Sequence, residues 1–190
     1  HASAIQTDAG VVLFAGRSGV GKSTLLNALL RRGYTMLADD VAGIVQDASG
    51  QVQVLPAFPS TKLWNDALEQ MEITADVYMP VRPGSTKYHV PVPDAFSTTP
   101  VRLSHIYILT TSKIPEIELT PLQPFAAFRA LVNHTYRKVF LDSLGQRQPH
   151  FQMITAVANQ ATVMLVQRPE APHYLLEELT DQVEQDFMQA

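Results

Sequence analysis

The feature that most constrains this chain is the segment GRSGVGKS at residues 16–23. It fits the pattern G-x-x-x-x-G-K-[ST], follows the apolar run 11–15 and precedes a leucine-rich stretch that ends near Arg31. A strand, a tight loop and a helix in this order direct successive backbone N–H groups and the helix N-terminus at one phosphate group. The sequence therefore predicts a phosphate-binding loop (P-loop) for a nucleoside triphosphate.

Two residues of this loop have specific expected roles. Lys22 should lie against the β- and γ-phosphates, and the Ser23 hydroxyl should ligate a Mg²⁺ ion that bridges them. The alternative is a glycine-rich turn before a helix that binds no nucleotide, which the register of strand, loop and helix disfavours. The predicted nucleotide-binding residues are Gly16, Arg17, Ser18, Gly19, Val20, Gly21, Lys22, Ser23 and Thr24.

Two adjacent carboxylates, Asp39 and Asp40, follow Lys22 by 17 and 18 residues and end a predicted strand at 34–38. A right-handed crossover should bring that strand end beside the P-loop. One carboxylate could then hold Mg²⁺ while the other accepts the proton of an attacking hydroxyl. Two like charges so close should raise the proton affinity of one of them. The alternative is a solvated turn or a helix cap.

The neighbourhood of the P-loop disfavours two other classes of nucleotide-binding protein. A GTPase would carry an Asn-Lys-x-Asp segment, of which Thr111-Ser112-Lys113 is only a faint echo. An ABC ATPase would carry an LSGGQ-like signature, and the sequence contains none. The P-loop alone indicates nucleoside triphosphate binding, and the paired aspartates favour phosphoryl transfer.

Composition favours one compact domain over residues 1–190, since 46% of the 190 residues are hydrophobic. A net charge of −4 gives no overall basic field for nucleic acid or anionic lipid. The absence of cysteine fits a reducing cytoplasm, and no apolar run approaches the roughly 20 residues of a membrane span. We expect a soluble, cytoplasmic domain, with homo-oligomerisation left open. Because the chain opens at His1 without methionine, we also expect it to be part of a longer protein.

Apolar periodicity and turn residues predict alternating strands and helices, and hence an α/β layered domain with flanking helices. Seven prolines between positions 56 and 100 predict loops and edge strands there. The predicted elements are a hairpin at 2–5 and 11–15, a P-loop helix, a strand at 34–38, a hairpin at 42–46 and 51–55, a buried strand at 105–110, an amphipathic helix over 125–135, a strand at 163–167 and a closing helix at 174–188.

Five blocks of sequence resemble one known family. They are His1-Ala2, residues 16–23, Arg32-Gly33, Leu37-Ala38-Asp39-Asp40 and, more distantly, Pro80-Val81-Arg82-Pro83-Gly84. Together they resemble the catalytic domain of the HPr kinase/phosphorylase family, which implies a P-loop fold with a mixed sheet, related to that of PEP carboxykinases. The chain is more similar still to the HPr-kinase-like proteins of bacterial peptide-maturation clusters, including those that phosphorylate a lasso-peptide precursor.

The resemblance implies a role for each matching residue. Lys22 would be a catalytic phosphate-binding lysine, Asp40 the proton acceptor and His1 an active-site histidine, with Ser23 and Asp39 at the Mg²⁺ ion. Arg82 and Lys87 would belong to a phosphate or substrate loop. The family's Glu-x-Arg-Gly-Leu-Gly segment is absent, and residues 56–64 occupy that region instead. The resemblance therefore leaves open whether the chain has phosphorylase activity and whether HPr is its substrate.

The implied function is an ATP-dependent serine kinase that uses ATP and Mg²⁺ to phosphorylate a protein or peptide. Two alternatives stay open, a small-molecule kinase on the same scaffold and a non-enzymatic, nucleotide-dependent regulator. The isolated aromatic residues are expected in the core or at its rim; they are Trp64, Tyr88, Tyr107 and Tyr136. Three basic residues could contact a peptide or phosphate, although a solvated polar face is the favoured interpretation; they are Arg129, Arg137 and Lys138.

Overall fold

A computed structural model of the chain describes residues 1–70, 74–113, 115–170 and 175–189. Its strands are β1 (Ala2–Thr7), β2 (Gly10–Gly16), β3 (Thr35–Ala38), β4 (Gly43–Gln46), β5 (Val52–Leu55), β6 (Ser60–Trp64), β7 (Met79–Pro80), β8 (Lys87–Pro91), β9 (Val101–Ser112), β10 (Glu118–Pro121) and β11 (Thr162–Pro169). Its α-helices are α1 (Lys22–Arg31), α2 (Asn65–Gln70), α3 (Pro124–Asn133), α4 (Arg147–Gln160) and α5 (Leu175–Gln189).

The main sheet has eight strands within the described residues, six of them in the order β10-β11-β9-β2-β1-β3. Strands β2, β9 and β11 are parallel neighbours, whereas β1 is antiparallel to both β2 and β3. Strand β3 therefore runs in the same direction as β2, with β1 between them. The β4–β5 hairpin joins the start of β9, and β6, β8 and β7 form a separate antiparallel sheet.

Helices cover both faces of the main sheet because its central strands are apolar on both sides. Along β2, Val11, Leu13 and Ala15 face a core shared with α3 and α4. Val12 and Phe14 point the other way, into a core shared with α1 and α5. Complete burial of side chains of this size contributes about 1.5–3 kcal/mol each. The structure is thus a three-layer α/β/α arrangement, and the predicted mixed α/β fold of the P-loop nucleotide-binding type is confirmed.

Most predicted elements are present. Both hairpins, the P-loop helix, the strand before Asp39 and the helix over α3 occur where the sequence predicted them. The buried strand predicted at 105–110 is longer, since its first residues pair with β2 and β5. Helix α4 and the edge strand β10 were not predicted. The predicted start of the closing helix at 174 lies outside the described residues, and α5 runs from Leu175 to Gln189.

Within the described residues, none of the helices has both the length and the apolarity needed to span a membrane.

Candidate functional site

The P-loop connects the end of β2 to the start of α1, in the centre of the sheet. Gly16 and Gly21 have φ angles of +155° and +101°, which side chains rarely tolerate. A Cβ on Gly16 would lie 2.7 Å from the carbonyl oxygen of Leu109 and 2.8 Å from a methyl carbon of Val20. The Leu25 amide donates to the Gly21 carbonyl at 2.9 Å, and this bond starts the helix. The loop therefore has a shape that only this glycine pattern permits.

Lys22 curls back under the P-loop. Only 5% of it is exposed, and its Nζ donates to the carbonyl oxygens of Gly16 and Arg17, both at 3.0 Å. Burial lowers the pKa of Lys22, Asp39 partly opposes this, and the nearby charge of Lys87 adds to the decrease. The loop thus holds an amine inside its own curve, where the terminal phosphates of a nucleotide would lie.

Asp39 is held by four hydrogen-bond donors. Its Oδ1 accepts from Ser3 Oγ at 2.6 Å and from Ser23 Oγ at 2.9 Å. Its Oδ2 accepts from Thr61 Oγ1 at 2.9 Å and from the Lys62 amide at 2.8 Å. A carboxylate with four donors has a fixed orientation, so Asp39 fits a structural or metal-holding role better than a proton-accepting one.

The two predicted metal ligands, Ser23 and Asp39, are therefore adjacent. Asn27 supports the pair, since its Nδ2 donates to Thr61 Oγ1 at 2.9 Å and to the Ser23 carbonyl at 2.7 Å. No group of three or more His, Cys, Asp or Glu suited to a metal occurs in the described part of the chain. A hard cation prefers oxygen ligands, so Mg²⁺ here would take its remaining ligands from phosphate and water.

Asp40 has a different environment from that of Asp39. Its backbone φ is +75°, and its Oδ1 and Oδ2 lie 2.9 Å from His1 Nε2 and 2.8 Å from Lys62 Nζ. About a third of its side chain is exposed, at 34%. Burial raises the pKa of Asp40, but the hydrogen bond and charge of Lys62, with Lys87 and Lys22, outweigh it and hold the pKa below its usual range. An increase in proton affinity was expected for one of the two aspartates, and Asp40 does not show it, because its basic neighbours outweigh burial.

His1 reaches the candidate site from the residue before β1. Its ring contacts Asp40, and its backbone nitrogen donates to the carbonyl oxygen of His134 at 2.8 Å. His134 caps the C-terminus of α3. His1 thus connects the end of α3 with Asp40, which follows β3.

Lys62 is a site residue that the sequence analysis missed. It lies in β6, within the segment 56–64 that replaces the family's Glu-x-Arg-Gly-Leu-Gly stretch. Its amide bonds to Asp39 and its ammonium to Asp40, so one residue contacts both carboxylates. A single lysine in a strand that follows a proline belongs to no sequence motif. Its contacts with the aspartates depend on the position of β6, which pairs with β8.

Arg168 is a second residue that was not predicted. It lies near the end of β11, and its Nε and Nη2 donate to the Val20 carbonyl oxygen at 3.3 and 3.0 Å. Burial lowers the pKa of Arg168. Because β11, β9 and β2 are parallel, their carboxyl ends share one edge of the sheet, and a side chain from β11 can brace the P-loop.

The structure separates the two residues of the predicted substrate loop. Lys87 is half-buried, lies with its Nζ 5.5 Å from the centre of the Trp64 ring, and lowers the pKa of Asp40 and Lys22. Arg82 is exposed, and its side chain makes no hydrogen bond or ion pair with any residue that the structure describes. Lys87 therefore belongs to the neighbourhood of the aspartates, and Arg82 is not brought to it.

The remaining predicted loop residues differ in exposure. Arg17, Ser18 and Gly19 are exposed at the tip of the loop, Val20 is buried, and Thr24 is half-buried in the first turn of α1. A cleft of about 480 Å³ begins at this tip, and its lining residues are Gly19, Trp64, Asn65, Glu69 and Thr86. This volume is typical of a small-ligand site. Trp64 is 44% exposed there, at the rim of the protein as expected.

Comparisons with known proteins relate this geometry to other chains. The family model described as "50S ribosome-binding GTPase" matches residues 11–56, which is less than half of the chain and covers β2, the P-loop, α1, β3 and the β4–β5 hairpin. A search of curated proteins found no match. A search of solved structures found the Hpr(Ser) kinase/phosphatase from Coxiella burnetii, with 16% identity and a TM-score of 0.46 over 100% of this chain and 95% of that chain. The match to residues 11–56 agrees with a P-loop nucleotide-binding domain.

Proposed function

We propose that this chain is an ATP-dependent kinase that transfers the γ-phosphoryl group of MgATP to a serine hydroxyl of a protein or peptide. The observation that carries this proposal is the different bonding of two adjacent carboxylates. Asp39 is saturated by four donors and bonded to Ser23, whereas Asp40 is ionised and partly exposed beside the P-loop. One holds the metal-binding serine, and the other is available to a substrate.

The residues of the loop fit a nucleoside triphosphate with Mg²⁺. Backbone N–H groups of residues 16–23 and the start of α1 would hold the phosphates, with Lys22 as the mobile cation. The Ser23 hydroxyl would be the direct oxygen ligand that Mg²⁺ prefers, and Asp39, whose oxygens already accept four hydrogen bonds, would hold the ion through Ser23 or a water. Bound there, Mg²⁺ would supply charge neutralisation on the β- and γ-phosphate oxygens.

Asp40 fits the role of proton acceptor. As the serine oxygen forms its bond to the γ-phosphorus, the bond to the β–γ bridging oxygen breaks and ADP leaves with that electron pair. The hydroxyl proton passes to the Asp40 carboxylate, which is ionised before the reaction. A carboxylate with low proton affinity suits a loose transition state, in which the acceptor hydroxyl loses its proton late. His1 and Lys62 keep both oxygens of Asp40 oriented.

The sequence blocks that resemble HPr-kinase-like proteins support a serine acceptor. His1 and residues 16–23 are distant in sequence, yet both contact the Asp39–Asp40 pair, His1 through Asp40 and Ser23 through Asp39. Residues 56–64, where the sequence departs from the family, still supply contacts to both carboxylates through Thr61 and Lys62.

The proposal is tested by incubating the chain with Mg²⁺ and γ-labelled ATP or GTP, together with serine peptides and a metabolite mixture, and locating the label by mass spectrometry. We expect phosphoserine, and we expect Asp40→Asn to slow transfer by about 10²–10⁴ without loss of nucleotide binding. Asp94→Asn, an exposed carboxylate in a 3₁₀ turn, is the matched control and should transfer at the wild-type rate.

Three other outcomes would contradict parts of this proposal. Equal transfer by Asp40→Asn and the wild type would remove Asp40 from its role. Label found only in metabolites would favour the small-molecule kinase, and nucleotide binding without transfer to any acceptor would favour the nucleotide-dependent regulator.

A further inference from the structure

The connection between α3 and α4, residues 134–146, lies beside the candidate active site. His1 links the two, since its backbone nitrogen bonds to the His134 carbonyl and its ring bonds to Asp40. Burial lowers the pKa of His134, and the charges of Lys22 and Arg17 lower it further. The beginning of this connection is thus within electrostatic range of the P-loop.

This connection exposes large apolar side chains. Every residue from 136 to 149 is exposed except Leu141. In the described part of the chain, six of the eleven exposed large hydrophobic side chains lie here or on the adjoining helices; they are Phe125, Tyr136, Val139, Phe140, Leu144 and Phe151. Val139 is 76% exposed and Leu144 67%. Exposed apolar residues concentrated in one place indicate an interaction surface.

The connection is ordered by its own backbone hydrogen bonds. The Phe140 amide donates to the Arg137 carbonyl at 3.0 Å, and the Gln146 amide donates to the Leu141 carbonyl at 2.8 Å. The Thr135 hydroxyl also lies 2.8 Å from His150 Nε2, which fastens the connection to α4. Its apolar side chains therefore project from a defined scaffold rather than from a loop that could fold them inward.

The charge of this surface is opposite to that of the whole chain. Arg137 stacks at 5.3 Å on the Tyr136 ring, and Lys138 donates to Asn133, but neither pairs with a carboxylate of any described residue. The only acidic residue of the connection, Asp142, is paired with Arg147. Two unneutralised cations therefore stand among apolar side chains in a chain whose net charge is −4.

We propose that the α3–α4 connection docks the acceptor, as an acidic peptide segment that carries leucine- or phenylalanine-sized side chains near its serine. This inference rests on the proposed kinase function and adds the class of acceptor. Acidic residues of the peptide would neutralise Arg137 and Lys138, while its apolar side chains would cover Val139 and Leu144. A symmetric contact between two copies would instead place Arg137 and Lys138 of both copies in one interface, where like charges repel. The charges therefore favour a peptide over a second copy.

Peptide binding can be measured without catalysis, by fluorescence anisotropy in the absence of nucleotide. The probes are a labelled synthetic peptide with one serine, several glutamates and leucines, and a second peptide with lysine in place of each glutamate. We expect the acidic peptide to bind at least about tenfold more tightly, and Lys138→Glu to weaken it by about tenfold. Leu144→Ser should also weaken it. Lys113→Glu, an exposed charge reversal outside this surface, should change it less than about twofold.

Several results would overturn the docking proposal: no binding of either peptide, equal affinity for both, or equal effects of Lys138→Glu and Lys113→Glu. Sedimentation that shows a dimer, lost in Leu144→Ser, would assign the surface to a second copy instead. The two proposals fail separately. Peptide binding without phosphorylation would contradict the kinase function alone, whereas phosphorylation of both peptides with equal KM would contradict the docking surface alone.

Discussion

The ammonium group of Lys62 and the carboxylate of Asp40 form an ion pair of 2.8 Å. Burial alone would make the Asp40 carboxylate harder to ionise, yet its pKa lies below the usual range because the hydrogen bond and charge of Lys62 exceed the effect of burial. The lysine therefore lowers the pKa of the proposed base, and with it the proton affinity of that carboxylate.

Removing this lysine should change the pH dependence of phosphoryl transfer. In Lys62→Met, the largest effect that opposes burial is lost, and Lys87, Lys22 and the His1 contact remain, so the pKa of Asp40 should rise. A higher pKa means that Asp40 becomes protonated at a higher pH, and the acid limb of kcat/KM against pH should move upward. Lys113→Met is the control. An acid limb at the same pH in Lys62→Met and the wild type would contradict the assignment of Asp40 as the base.

Ser23 and Ser3 both donate to Asp39 Oδ1, yet only Ser23 belongs to the P-loop. Ser23→Ala should raise the Mg²⁺ concentration for half-maximal nucleotide binding by about tenfold or more, because it removes the proposed Mg²⁺ ligand. Ser3→Ala should mainly lower stability, by about 1–3 kcal/mol for a lost buried hydrogen bond. Mg²⁺ titrations and thermal unfolding of both variants make the comparison. Equal Mg²⁺ dependence of the two variants would remove Ser23 from the metal site.

Arg168→Gln should weaken nucleotide binding by about tenfold, on the scale of one lost charge-assisted interaction. The reason is that its two hydrogen bonds to the Val20 carbonyl fix the loop that carries the phosphate-binding N–H groups. Arg102→Gln is a matched control, since Arg102 also donates to a backbone carbonyl, that of Ala9, away from the loop. Titration with a fluorescent nucleotide compares the two. A similar loss in both variants would show that Arg168 has no specific effect on the P-loop.

His105 should make the protein less stable in mild acid. It is 5% exposed, neither ring nitrogen has a hydrogen-bond partner among the residues that the structure describes, and burial lowers its pKa below the ordinary 6.5. Above pH 6.5 the ring is neutral in both the folded and unfolded states, so it contributes no pH dependence. As the pH falls below that value, the unfolded chain binds a proton that the folded chain resists, and the free energy of unfolding decreases.

Thermal unfolding at several pH values between about 5 and 8 measures this effect. His105→Phe keeps a ring beside Tyr107 and removes the titrating group, so its stability should decline less steeply in acid. The pKa values of His134 and His150 are also lowered, and these residues provide the remaining slope in the variant. An identical pH dependence of the variant and the wild type would mean that His105 does not titrate differently on folding.

The parts of the fold and site that could be predicted are those encoded by adjacent residues. The glycine spacing before Lys22 determines a local loop, and the apolar alternation around it determines a strand and a helix. The position of Asp39 and Asp40 followed from the handedness of one crossover, although β1 was not expected between β2 and β3.

The parts that could not be predicted depend on contacts between distant segments. Lys62 and Arg168 reach the site from β6 and β11, which approach the P-loop only after both sheets have formed. The low pKa of Asp40 depends on three lysines whose proximity is tertiary. Helix α4 was missed because only Ile154 and Val157 of its residues are buried, which leaves a weak apolar periodicity.

The place of β1 in the sheet has a consequence for how the chain acquires its shape. The β1–β2 hairpin is closed by a short turn at Thr7–Gly10, so it forms from contacts near in sequence and presents β1 as a free edge. Strand β3 pairs with that edge, and the pairing places Ser3 against Asp39. This hairpin therefore sets the geometry of the acidic pair, and a change at the Asp8–Gly10 turn would disturb that pair at a distance from any substrate.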